Sequence, residues 1–115
     1  MKMVGPLTRV TIDELRKMAA LSFGDPVKAV VDVEKGILVL DAELHADQEA
    51  LLLDQGSRLA DLWGINLYPD LTDAEFVEFD SMINVRPSQA NRSRGVEAEA
   101  LRTRILAIVD GLVER

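Results

Sequence analysis

The residues with the clearest chemical potential surround the only histidine, in the segment 41–47 (DAELHAD). In an extended strand, alternate side chains point to the same side. The four that would then face together are Asp41, Glu43, His45 and Asp47. One imidazole with three carboxylates suits acid–base catalysis or the binding of a divalent cation. The spacing predicts a candidate catalytic group centred on His45, with an exposed histidine at a strand end as the alternative.

Metal sites and familiar catalytic motifs are not predicted. A single histidine leaves no second imidazole for zinc, and the sequence has no glycine-rich calcium loop. It also has no G-x-S-x-G, no H-E-x-x-H and no phosphate-binding glycine loop. We therefore predict no metal and no cofactor. These absences argue against an enzyme without excluding one.

A second group of polar residues forms the basic, amide-rich segment 84–96 (NVRPSQANRSRGV). Guanidinium and amide groups are suited to holding a carboxylate or a phosphate. The residues predicted to bind a ligand are Arg86, Gln89, Asn91, Arg92 and Arg94, with Trp63 and Asn66 at the border of the site. Glu97 and Glu99 follow, at a helix N-terminus where they would repel an anion. In the structural alternative, Asn91 and Ser93 turn the chain into that helix and the arginines pair with carboxylates.

Composition limits the class of protein. The formal net charge of −7 argues against general nucleic-acid binding, because affinity for phosphate depends on clustered Lys and Arg. The absence of cysteine excludes disulfides and thiolate sites. No apolar run approaches the roughly 20 residues that span a bilayer. We expect a soluble, acidic, cytoplasmic protein that forms a single domain over residues 1–115.

The elements that must position these residues are a helix at each end and strands between them. Thr11 and Glu14 form a capping box that starts the first helix. Apolar residues at helical spacing predict the last helix over 97–113. Alternating, β-branched segments predict strands over 27–34, 37–44, 61–68 and 76–86.

Residues 46–54 fit either a helix or a short strand. Their Ala, Glu, Gln and Leu favour a helix, whereas the alternation of the following segment favours a hairpin and hence a strand at 49–54. Gly64 lies in the middle of the predicted strand 61–68, where a glycine predicts a bulge or a close backbone approach. Trp63 is interpreted as a core residue or as the edge of a binding surface.

The predicted fold is α+β, with the order α-β-β-β-β-β-α. It has an antiparallel, meander-like sheet of about five strands and packs both terminal helices on one face. The second sheet face would then be open and polar. The residues expected on it are Lys28, Asp32, Glu34, Asp41, Glu43, Asp80, Asn84 and Arg86.

Three segments together resemble a family of small bacterial proteins of unknown function, also found in cyanobacteria. They are VDVEKGILVLDAELHADQEALLLDQGS, DLWGINLYP and SMINVRPSQANRSRGVE. The resemblance covers nearly the whole chain. It implies a bacterial, stand-alone, single-domain protein and transfers no catalytic residue.

Three hypotheses of function follow. The first is a binding or interaction module that uses the polar sheet face and the 84–95 loop to hold an anionic small molecule or a protein partner. The second is a small hydrolase-like or metal-assisted enzyme centred on His45. The third is a homo-oligomer, most simply a homodimer, that buries the open sheet face against a copy of itself.

Overall fold

The computed structural model describes residues 4–7, 9–21 and 26–114 of the chain. Within them lie seven strands and three α-helices. The strands are β1 (Val4–Leu7), β2 (Val10–Thr11), β3 (Val27–Asp32), β4 (Ile37–Leu40), β5 (Leu62–Leu67), β6 (Val77–Glu78) and β7 (Val113–Glu114). The helices are α1 (Ile12–Leu21), α2 (His45–Asp54) and α3 (Glu99–Leu112). No helix in these ranges is long and apolar enough to cross a membrane.

The main sheet has the strand order β1-β4-β3-β5-β6, and each of its pairs is antiparallel. β3 lies at its centre, where both neighbours pair with it, and five of its six residues are buried. β2 and β7 form a separate parallel pair that joins residues near the two ends of the chain. The α+β class and the antiparallel pairing are confirmed. The predicted order along the chain is wrong, because strands also precede α1 and follow α3, and α2 lies between β4 and β5. The meander is wrong, because β5 pairs with the far side of β3 instead of with β4.

One face of the sheet packs against α1 and α3, and this is the main core. Val31 and Trp63 are opposite each other on β3 and β5, so their side chains share this face. Leu15 of α1 and Ile105 of α3 are fully buried against it. The capping box is confirmed, since the Glu14 carboxylate accepts from Thr11 N at 3.2 Å and Glu14 N donates to Thr11 Oγ1 at 3.1 Å. Helices from both ends of the chain therefore cover one side.

The other sheet face is covered as well, which corrects the prediction of an open polar face. α2 packs on it, and Val30, Val39, Leu52 and Leu62 form a buried apolar cluster there. Asp32, expected to face solvent, is buried. Its Oδ1 accepts from the backbone N–H groups of residues 34 and 35, each at 2.9 Å, and so orders the turn before β4.

The segment left open between helix and strand is a helix, and one predicted strand is largely replaced by other structure. Residues 45–54 form α2, because the helix turns His45, Gln48 and Leu52 inward together. The predicted strand 76–86 pairs only at Val77–Glu78. Ser81 Oγ then accepts from Ile83 N at 3.3 Å and begins a short 3-10 turn at Met82–Asn84. A local side-chain bond of this kind competes with strand pairing.

Candidate functional site

The loop that follows β6 runs along the free edge of β5. There Asn84, which is fully buried, uses its side-chain amide as a strand would use its backbone. Its Oδ1 accepts from Gly64 N at 2.8 Å and its Nδ2 donates to Gly64 O at 2.9 Å. The close approach predicted at Gly64 is confirmed, since a Cβ there would lie 2.6 Å from Ser81 Cβ. This loop therefore supplies hydrogen-bond partners to the edge of β5 that lacks a neighbouring strand.

Arg86 is buried and directed inward, not towards a ligand in solvent. Its guanidinium donates to the carbonyl oxygens of Leu59 and Leu62 and lies 4.1 Å from the centre of the Trp63 ring. Loss of water around the charge lowers the pKa of Arg86. Its Nε has no hydrogen-bond partner in the described part of the chain. Trp63 is buried beneath this arginine, so it is a core residue and not an exposed border.

Asn91 and Glu97 hold the rest of the loop in shape. The buried Asn91 amide donates to Asn84 O at 2.7 Å and to Gly95 O at 2.8 Å, and its Oδ1 accepts from Glu97 N at 2.8 Å. The Glu97 carboxylate accepts from the backbone N–H groups of Arg92 and Ser93. These hydrogen bonds lower the pKa of Glu97. The backbone N–H groups of this turn are thus taken up by the chain's own glutamate.

The remaining predicted ligand-binding residues are divided. Gln89 bonds to Ala60 O at 3.2 Å and to Arg86, so it also belongs to the loop framework. Arg92 and Arg94 have exposed side chains, and Arg94 Nε lies 2.6 Å from Asp80 Oδ1. Of the seven predicted residues, Trp63, Asn66, Arg86 and Asn91 are buried, whereas Gln89, Arg92 and Arg94 are exposed.

His45 is buried at the start of α2 and is separated from its three predicted carboxylate partners. Its Nε2 lies 2.8 Å from Ile65 O and donates to it, which fixes the proton on that nitrogen. Burial lowers the pKa of His45. Glu43 and Asp47 are exposed, and Asp41 has a left-handed backbone with a φ of 64°. The segment is not an extended strand, so alternation does not apply. No group of three or more metal-ligating side chains forms among the described residues.

Polar side chains gather beside His45 on this sheet face, around Lys28. Lys28 lies opposite Asn66 in the sheet, and its carbonyl accepts from Gln48 Nε2 at 2.7 Å. Asn66 donates to Glu78 Oε1 at 2.9 Å. The amide oxygens of Gln48 and Asn66 are buried and have no partner in the described residues. Asn66 therefore lies inside the fold, not on the border of an exposed site.

A cavity of about 420 Å³ lies on the opposite side of the molecule, between α1 and the turn after β5. Its walls are mostly apolar, with two charged side chains and one phenol. The residues that line it are Arg16, Ala19, Ala20, Pro26, Tyr68, Pro69, Asp70 and Leu71. None of them was predicted as a site residue. Tyr68 beside Pro69 and Asp70 is the only sequence signal, and it identifies a turn, not a cavity.

The charged groups of this cavity form an ion pair. Arg16 Nε lies 3.1 Å from Asp70 Oδ1, and Arg16 NH1 lies 3.3 Å from Asp13 Oδ1 one turn earlier on α1. The Tyr68 hydroxyl donates to Glu78 Oε1 at 3.0 Å, which fixes the orientation of this side chain. Arg16 and Asp70 are 54 residues apart in sequence and meet only because α1 packs beside the end of β5.

Comparison with known families gives one match. The family described as "Protein of unknown function (DUF5674)" matches residues 7–112. The chain belongs to the DUF5674 family. No curated protein and no solved structure matches it. The resemblance to an uncharacterised family of small proteins is therefore confirmed. The description of DUF5674 assigns no activity, so the possible roles of residues in this member rest on the geometry given above.

Proposed function

We propose that this protein is a binding module for a small molecule, and that the ligand occupies the cavity between α1 and residues 68–71. The observation that carries the proposal is the cavity itself. Its volume of about 420 Å³ lies in the range typical of small-molecule sites, roughly 300–1,000 Å³. Such sites combine apolar walls with a few polar groups that fix orientation. Arg16 and Asp70 supply the polar groups here.

The polar groups of the cavity are able to exchange partners, which supports a binding role. The Arg16 side chain is 52% exposed and that of Asp70 is 86% exposed. An ion pair this exposed contributes only about 0–1 kcal/mol to stability. A ligand therefore displaces it at low cost, whereas the buried bonds of Arg86 and Asn91 would have to break within the fold. This contrast favours the cavity over the 84–95 loop as the ligand site.

The experiment is a screen by ¹⁵N shift perturbation with small organic probes that have an apolar body and a polar group. We expect shifts to concentrate on residues 16–20 and 68–71. The test variant is Ala20→Trp, in which an exposed alanine of the cavity wall becomes large enough to fill the space. Its matched control is Ala46→Trp, at an exposed alanine of α2.

The two variants separate binding from folding. The proposal requires that Ala20→Trp loses the probe shifts and that Ala46→Trp keeps them, with both spectra remaining dispersed. Shifts that survive in Ala20→Trp, or that map to the 84–95 loop instead, would show that the ligand binds elsewhere.

A further inference from the structure

The two charged side chains of the cavity have opposite sign and are adjacent. Arg16 Nε and Asp70 Oδ1 are 3.1 Å apart, and both residues line the same space. Asp13 contacts the guanidinium from outside that lining. The cavity therefore offers a ligand one cationic donor and one anionic acceptor at its rim, with no net charge between them.

A ligand with a single charge would be opposed by one of these two groups. A carboxylate on Arg16 would lie close to the Asp70 carboxylate, and an ammonium on Asp70 would lie close to the Arg16 guanidinium. Like charges at such distances repel each other. A ligand that has both groups on neighbouring atoms would pair with Arg16 and Asp70 together, and its ammonium would offset the repulsion between its carboxylate and Asp70.

The rest of the lining is suited to an apolar side chain. Ala19 and Ala20 lie on α1, and Pro26, Pro69 and Leu71 supply apolar walls. Small and ring-shaped residues of this type form flat surfaces with no hydrogen-bond donor of their own. An uncharged, apolar ligand body would thus be desolvated there without a buried polar group being left unpaired.

We propose that the cavity binds a zwitterionic α-amino acid with an apolar side chain. Its carboxylate replaces Asp70 on the Arg16 guanidinium, its ammonium binds the Asp70 carboxylate, and its side chain lies against the alanine and proline walls. This inference rests on the proposed function, because it specifies the ligand class of the same cavity.

The experiment compares three probes of similar shape by titration calorimetry and ¹⁵N shifts. They are L-phenylalanine, 3-phenylpropanoate, which lacks the ammonium, and 2-phenylethylamine, which lacks the carboxylate. We expect L-phenylalanine to bind about two- to fivefold more tightly than either analogue, since each analogue lacks one ion pair at a site this exposed.

Two variants test the assigned pairs. Arg16→Met should reduce the affinity for L-phenylalanine by about two- to fivefold and leave that for 2-phenylethylamine unchanged or higher. Asp70→Asn should reduce the affinity for L-phenylalanine by a similar factor and leave that for 3-phenylpropanoate unchanged or higher. The matched control is Arg58→Met, which removes an exposed arginine from an ion pair outside the cavity, with Asp61 at 3.2 Å, and should change none of the three affinities.

The outcomes distinguish the two proposals. If none of the probes binds and the earlier screen also finds no cavity ligand, the proposed function fails. If the three probes bind the cavity with equal affinity, or if an analogue binds more tightly than the amino acid, the cavity is a binding site but the zwitterion inference is overturned.

Discussion

At the scale of single residues, a side-chain amide takes the place of a neighbouring strand. The Asn84 amide makes the same two bonds to Gly64 that a paired backbone would make, and its Nδ2 also donates to Arg94 O at 2.9 Å. Only an amide carries a donor and an acceptor at this spacing. The amide-rich composition of the loop thus has a structural cause, which the sequence alone did not distinguish from ligand recognition.

We expect Asn84→Ala to lower the free energy of unfolding by about 2–4 kcal/mol, because it leaves the buried Gly64 N–H and C=O without partners. Ser88→Ala, at an exposed position of the same loop, is the control and should change stability by less than about 0.5 kcal/mol. Urea unfolding of both variants measures the difference. If Asn84→Ala were as stable as Ser88→Ala, the hydrogen bonds of the Asn84 amide to β5 would not contribute to stability.

Residue patterns differ in how far they can be interpreted from sequence. The capping box was predictable because Thr11 and Glu14 satisfy each other within one helical turn. The pair Arg16–Asp70 was not, because its two residues are 54 positions apart and approach only through the packing of α1. The candidate site lies wholly in this second class, so it could be found only from the fold.

At the scale of elements, α2 is held on the sheet by polar groups as much as by apolar ones. His45 donates to Ile65 O, and Gln48 donates to Lys28 O and Val39 O. Inward polar residues hide the usual apolar stripe of a helix, which is why 46–54 fitted a strand equally well. The prediction of an open sheet face followed from the same ambiguity. If residues 46–54 formed a strand, no helix would remain to cover that face.

The attachment of α2 should weaken in acid. Because burial lowers the pKa of His45 in the folded protein, the unfolded chain, with a pKa of about 6.5, binds the proton first as the pH falls. Stability from this group is complete above that value and is lost as the pH falls through the folded pKa. Lys28 and Arg94 oppose the charged form and Asp80 favours it.

The variant His45→Asn removes the titrating group, so we expect its stability to depend less on pH between about 7 and 5 than that of the wild type. Urea unfolding at a series of pH values measures both curves. If the two curves remain parallel, His45 does not couple α2 to pH.

At the scale of the whole molecule, helices cover both faces of the main sheet. The homo-oligomer hypothesis relied on one of those faces being open, and α2 occupies it. A net charge of −7 also makes copies of the chain repel each other. The α+β class was predictable because hydrophobic periodicity changes between the helical and the extended segments. The strand order was not, since it depends on contacts between distant parts of the chain.

We therefore expect a monomer with a mass near 12.7 kDa at all concentrations in the micromolar range. Light scattering coupled to size exclusion at several loading concentrations measures this mass, and the same runs at raised salt control for charge repulsion. A mass near twice this value would show that a surface other than the sheet face associates.

An uncovered strand edge is a template on which another chain can add a strand. Within the described part of the chain, β5 pairs with β6 only at Asn66 and Leu67, so the first four of its six residues have no strand beside their outer edge. The side chains of Asn84 and Arg86 bond to the backbone groups of Gly64 and Leu62 on this edge. Because these partners are side chains, they do not present a further strand edge to solvent. Their presence protects the protein from ordered aggregation through β5, and variants that lose both should form β-rich aggregates at concentrations where the parent stays in solution.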